Sequence, residues 1–184
     1  NNTLALSTAN LIDLTKKSTF NFDAITLNPI FQTATSTNNV YQPVDSTLGL
    51  PVGLQPELAD QRVSFYTTIN PTIAPRFRIK GFAVAANTSF PVYLPGEITL
   101  TKAEAYARQG DLVNGLAELN KVVTKTALTD PFGVGAALPP IASVASQQEL
   151  LDLIYKHRCI ELYMSGLKLI DMRRFGRPVT EMKR

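Results

Sequence analysis

The 184 residues carry 45% hydrophobic and 18% charged side chains, which excludes a disordered chain and allows one domain with its own core. The net charge of +3 is too small to suggest a nucleic-acid partner. The basic excess gathers at Arg173, Arg174, Arg177, Lys183 and Arg184, where cations suit a helix C-terminus, and no phosphate-cradling loop accompanies it.

No apolar run approaches the roughly 18 residues of a membrane span. The stretch from Thr3 to Ser18 reads as the tail of a helix begun earlier. Residues 1–95 form an irregular part, because eight of the twelve prolines lie between Pro29 and Pro95, too close together for long helices. Thr33 to Thr47 has the polar composition of a loop. Short strands are expected at Val63 to Ile69 and at Arg76 to Val84, where basic and apolar residues alternate.

Residues 96–184 turn helical. Glu97 to Gln109 makes one helix, stopped by Gly110, a natural left-handed C-terminal residue. Asp111 caps the next, in which Leu112, Leu116, Leu119 and Val123 fall on one apolar stripe. Glu104 and Arg108 are spaced as a helical ion pair. After a Gly/Pro/Ala-rich loop from Asp130 to Ser143, Ser146 and Glu149 have the spacing of a capping box. The helix they open, about Gln147 to Ser165, is apolar on most sides and therefore deeply packed. Asp152 and Lys156 are expected to pair on its wet side.

The stretch Tyr155 to Arg177, YKHRCIELYMSGLKLIDMRRFGR, is the most informative in the chain. Arg158 and Glu161, Lys168 and Asp171, and Asp171 and Arg174 are each three apart and can meet on a helix face. Set among apolar residues and broken at Gly166, they look like an ionic lock between helices; ordinary surface pairs are the alternative. Cys159, the single cysteine, excludes an intrachain disulfide and is expected in the core, since His157 points about 200° away around the helix and cannot serve it as a base. His157 lacks nearby metal-ligating partners and is read as structural or exposed.

This stretch resembles the C-terminal signature of the SusD/RagB family, an Arg-x-x-Glu-Leu helix followed by a glycine turn and an Asp-x-Arg-Arg element. FPVYLPGEITLTKAEAYARQGD (Phe90 to Asp111) resembles the same family's approach to its helical repeat. DQRVSFY (Asp60 to Tyr66) is similar to its Asp-Pro-Arg segment, with Gln61 in place of proline. The segments occur in the family's order over about residues 57 to 177. Ser165 replaces the usual acidic residue, and Leu167-Lys168 stands where a bulky residue and arginine are usual.

The resemblance implies a mainly α fold. Tetratricopeptide-like hairpins would pack with the loop-rich, Pro/Thr-rich part and its short strands, both belonging to the C-terminal part of one domain. It implies a cell-surface outer-membrane protein, lipid-anchored through a segment preceding these residues. Such a protein captures oligosaccharides for a SusC-like TonB-dependent transporter. Arg158, Glu161, Gly166, Asp171, Arg173 and Arg174 then become the structural lock.

Sugars present apolar faces and polar edges, so their sites pair aromatics with amides and hydroxyls. Phe31, Asn39, Tyr41, Asp45 and Tyr66 in the irregular part are the candidate contacts, Tyr41 first because little apolar surrounds it. The alternative is that these aromatics pin the loops to the helices. No zinc spacing, nucleophile elbow or phosphate loop occurs, and no cofactor is expected. A helical-repeat adaptor for protein or peptide, or a carbohydrate-active hydrolase using carboxylates in the irregular part, are the competing readings.

Overall fold

The computed structural model describes residues 1–35, 45–69, 72, 77–178 and 181. Among them the chain is mainly helical, with short strands confined to two-stranded antiparallel sheets. Helix α1 (Asn2–Ala9) opens at Asn1, whose side chain accepts from Leu4 N, and ends at Asn10. The expected helical run to Ser18 therefore stops early. Asp13 explains part of this, because its Oδ1 accepts from Thr15 N at 3.0 Å and Thr15 Oγ1 at 2.6 Å, a local turn that competes with helix.

Strand β1 (Thr19–Phe20) pairs with β4 (Phe90–Pro91), placing Phe20 opposite Phe90. Helix α2 (Pro29–Thr35) is opened by buried Asn28. Its Oδ1 accepts from Ile30 N and Phe31 N, while its Nδ2 donates to Phe82 O and Thr88 O, both at 2.8 Å. One amide thus ties a helix start to a loop more than fifty positions away.

The strand expected at Val63 to Ile69 is mostly helix. Asp60 caps α3 (Gln61–Tyr66) by accepting from Arg62 N, and β2 (Thr67–Ile69) follows. Capping wins over the β-branched and aromatic composition because Asp60 is itself fixed by a buried partner, described below. Strand β3 (Phe77–Ile79) pairs with β2, and a short 3-10 turn at Gly81–Ala83 ends the extended stretch before Val84. Lys80 is exposed, Arg78 is half-buried, and Arg76 lies outside the described residues.

Helix α4 (Pro95–Arg108) begins with proline at its first turn, where the missing N–H costs nothing. Gly110, at φ +83°, turns the chain, and Asp111 caps α5 (Leu112–Thr124) by accepting from Asn114 N. The resulting hairpin packs closely. A Cβ on Gly115 would lie 2.9 Å from Leu150 Cδ2, 3.2 Å from Ala103 O and 3.3 Å from Ala107 N.

Ser146 caps α6 (Gln147–Glu161), and Glu149 reaches back to Ala145 N at 2.6 Å, one residue further than a standard capping box requires. The helix ends at Glu161 rather than Ser165, with Met164 (φ +73°) and Gly166 (φ +80°) turning the chain into α7 (Lys168–Arg174).

Two apolar clusters result. Leu100, Ala103, Ala107, Leu119, Val122, Val123, Leu150 and Ile154 join α4, α5 and α6, and all are essentially solvent-free. The other cluster runs through both parts of the chain, joining Leu48, Leu54, Tyr66, Phe82 and Leu94 to Tyr155, Cys159, Ile160, Leu162 and Met172. Burying each large side chain contributes about 1.5–3 kcal/mol before entropy is subtracted.

The Gly115 contact yields a test. Gly115→Val should destabilise by about 1–3 kcal/mol through overpacking, even though leaving glycine favours helix. An unchanged thermal midpoint would contradict the close approach of α4 and α5.

Candidate functional site

The last turn of α6 carries two buried charges that face different partners. Glu161 is fully buried; its Oε2 accepts from Arg62 Nη1 at 3.3 Å and its Oε1 from Lys125 Nζ at 2.5 Å. Arg62 is also held by Asp60, through Nε at 2.9 Å and Nη2 at 2.6 Å. Lys125 also bonds Asp130 Oδ2 at 2.6 Å, and Asp130 Oδ1 accepts from Phe132 N and Val134 N. The Glu161 carboxylate lies against the start of α4, where a Cβ on Gly96 would fall 2.0 Å from Oε1. Partial positive charge at a helix start favours an anion there.

Arg158 makes a bidentate pair with Asp171, Nε to Oδ2 at 2.9 Å and Nη2 to Oδ1 at 3.1 Å. Asp171 Oδ1 also accepts from Arg174 at 2.6 Å, and Arg174 continues to Glu104, which pairs with Arg108 at 2.7 Å. Asp171–Arg174 and Glu104–Arg108 therefore form as their spacing suggested. Arg158 and Glu161 do not pair with each other, because each meets a better-placed partner from another segment. Lys168 does not pair with Asp171; its Nζ sits 2.8 Å from Tyr155 Oη, 3.1 Å from Cys159 Sγ and 3.6 Å from Glu181. Asp152 and Lys156 likewise find other partners, Arg177 and Glu57. Arg173 is exposed, and Gly166 supplies the left-handed turn between α6 and α7.

His157 is buried, with Nδ1 3.0 Å from Arg62 Nη2. A guanidinium only donates, so Nδ1 accepts and the ring is neutral with its proton on Nε2. Burial, then the charges of Arg62 and Lys156, hold His157 well below its ordinary value of 6.5. Burial also pushes the Cys159 thiol up, against the opposing pull of Lys168, which leaves a protonated core thiol and a poor nucleophile.

The candidate sugar contacts are not brought together. Tyr66 is completely buried and donates to Glu161 O at 2.5 Å, so it belongs to the core and cannot touch a ligand here. Phe31 is half-buried on α2, and Asp45 is exposed with Oδ1 accepting from Thr47 N at 2.8 Å. Asn39 and Tyr41 lie outside the described residues.

Two concavities flank the turn after α6 instead, sharing Leu162 and Tyr163 as a common wall. One, of about 300 Å³, is lined by Leu48, Leu50, Cys159, Met164, Lys168 and Glu181 among others. Leu48 (φ 56°) and Met164 (φ 73°), both in the left-handed region, border it. The other, of about 230 Å³, is walled by aromatics and holds Glu97. Sequence reasoning missed both because their walls come from segments far apart in the chain. The FPVY stretch at Phe90 was the available signal for the second.

No family model and no curated protein matches the chain. Among solved structures it is similar to a SusD-like protein from Bacteroides fragilis, with 21% sequence identity and a TM-score of 0.45. The match covers 55% of this chain and 19% of the length of that one.

Breaking a buried pair strands its partner. Asp171→Ala should cost about 3–5 kcal/mol, because Arg158 is left uncompensated. Glu57→Ala, whose carboxylate is 46% exposed, should cost less than about 1 kcal/mol. Equal losses in chemical denaturation would contradict a buried lock.

For pH, His157 has a folded-state value below its unfolded 6.5, so the unfolded chain takes up the proton first. The stability this provides is complete above 6.5 and is lost as pH falls from there toward the folded value. The slope approaches about 1.4 kcal/mol per pH unit. His157→Gln should remove that slope; identical pH profiles for the two proteins would contradict the buried neutral ring.

Proposed function

We propose that this chain is part of a non-catalytic, surface-exposed capture protein. It binds an oligosaccharide reversibly and passes it to a SusC-like TonB-dependent transporter. The observation that supports this most is spatial. Asp60 to Tyr66, Phe90 to Asp111 and Tyr155 to Arg177, the segments resembling SusD/RagB elements, all supply members of the same buried charge and packing array. Arg62 reaches Glu161 across 99 positions, Gly96 makes room for that carboxylate, and Glu104 meets Arg174 across 70. Elements that resemble one family in order also interlock in space.

In this reading the array is scaffold, and α4 with α5 forms the frame that meets the transporter. The Phe31 to Asp45 segment, with Asn39 and Tyr41, carries recognition. Anchoring belongs to a lipidated segment outside these residues, at the outer-membrane surface. The mechanism is binding and release, with no covalent step. The helical-repeat adaptor remains a second reading, favoured by the apolar groove along α5 where Leu112 and Leu116 face Ile141 and Val144.

A glycan array followed by calorimetry tests the reading. The wild-type chain should bind an oligosaccharide without releasing reducing ends. Tyr41→Ala should weaken that binding by about tenfold, the loss of one well-placed aromatic, with the thermal midpoint unchanged. Failure to bind any glycan, or cleavage of the one bound, would overturn it. An unaltered affinity in Tyr41→Ala would remove Tyr41 from the site.

A further inference from the structure

The 230 Å³ cavity combines features that a plain packing defect lacks. Phe20, Phe90, Tyr93 and Tyr163 line it, and Phe20 and Phe90 are register partners across β1 and β4. Phe20 keeps 59% of its surface exposed, so its ring has an open side. Among these rings stands one carboxylate, Glu97, in the first turn of α4, and Ser165 also lines the cavity.

Glu97 is half-buried, and among the described residues no side chain forms an ion pair with its carboxylate. Arg158 is the cation near enough to lower its pKa, and that guanidinium is already held by both oxygens of Asp171. Leu94 N is the backbone donor that favours its charged form. A carboxylate has about four lone-pair sites, so acceptor capacity remains on this cavity-lining group. Burial raises Glu97 above its ordinary value of 4.5, with Arg158 opposing the rise and Asp171 adding to it.

We propose that this cavity binds a primary ammonium group, with the Glu97 carboxylate accepting its N–H donors and the surrounding aromatic rings enclosing its charge. Two arguments favour a cation over a neutral guest, and a third bounds its size. Aromatic faces are negative and attract ammonium by about 0.5–2 kcal/mol per ring. An anion with spare acceptor sites gains most from a donor that carries charge. The size excludes a long oligosaccharide and admits one ring or a short chain. Hydrogen-bond acceptors at Glu97 and the tyrosine and serine hydroxyls favour N–H-bearing ammonium over a quaternary head. This site stands apart from the capture reading and does not depend on it.

The test is a two-dimensional NMR titration of the full chain with glucosamine hydrochloride, N-acetylglucosamine and tetramethylammonium chloride at constant ionic strength. Glucosamine should shift amide signals of residues 90–97 and 162–167, with a dissociation constant near or below about 1 mM. N-acetylglucosamine should bind at least tenfold more weakly, and tetramethylammonium should fall between them. Glu97→Gln should weaken glucosamine at least tenfold while leaving the thermal midpoint in place, and Phe20→Leu should weaken it severalfold. Equal binding of the neutral sugar, or glucosamine binding unaltered by Glu97→Gln, would overturn the proposal. So would the absence of any shift near the cavity, whatever the glycan array reports.

Discussion

A single buried carboxylate organises this molecule. Glu161 sits at the end of α6 with no exposure, and a charge in that position must be paired or it costs several kcal/mol. Its partners come from different places: Arg62 from α3, Lys125 from the end of α5, and the start of α4 opened by Gly96. Asp60, Asp130 and His157 then complete the coordination of those cations. Apolar clusters supply most of the stabilisation, but they tolerate sliding. The ionic array does not, because a one-turn shift of α6 would leave at least one charge without a partner. Its contribution is therefore chiefly to register.

That register places the turn after α6. Tyr66 donates to the backbone of Glu161, and Arg158 ties the same helix to α7 through Asp171. Between these two anchors the chain runs through Met164 and Gly166 in left-handed conformations and forms the wall shared by both cavities. Left-handed backbone at a non-glycine residue costs roughly 1 kcal/mol or more and persists where the surroundings impose it. A wall held on both sides by buried charge pairs is preorganised, so a guest there does not have to order it. Scaffold and pocket are in this sense one device.

Much of the helical half was legible in the sequence because its signals are local. Asp111 and Ser146 cap where their positions indicated, Gly110 turns the hairpin, and Leu119 and Val123 lie in the core as the stripe required. The irregular half was less legible, since its order is set by distant partners. VSFYTTI has strand composition, yet Asp60 held by Arg62 starts a helix there. The charge motif shows the same limit. Arg158 and Glu161 have the spacing of a helix pair, and the i,i+3 rule cannot see Asp171 on another helix or Arg62 nearly a hundred residues away. Tyr66 looked like a ligand platform for the same reason, being aromatic and near polar residues in sequence but enclosed by Phe65, Phe82 and Tyr163 in space.

The most direct check on this account is a double-mutant cycle across the longest ion pair, with Arg62→Met and Glu161→Leu measured singly and together by chemical denaturation. Each single change removes one member of the pair while the other keeps a second counter-ion, Asp60 for Arg62 and Lys125 for Glu161, and the pair of changes removes both members. The double variant should be more stable than the sum of the single losses predicts, by more than about 1 kcal/mol. Strict additivity would mean that the two segments are not coupled through these charges, and the frame described here would not hold.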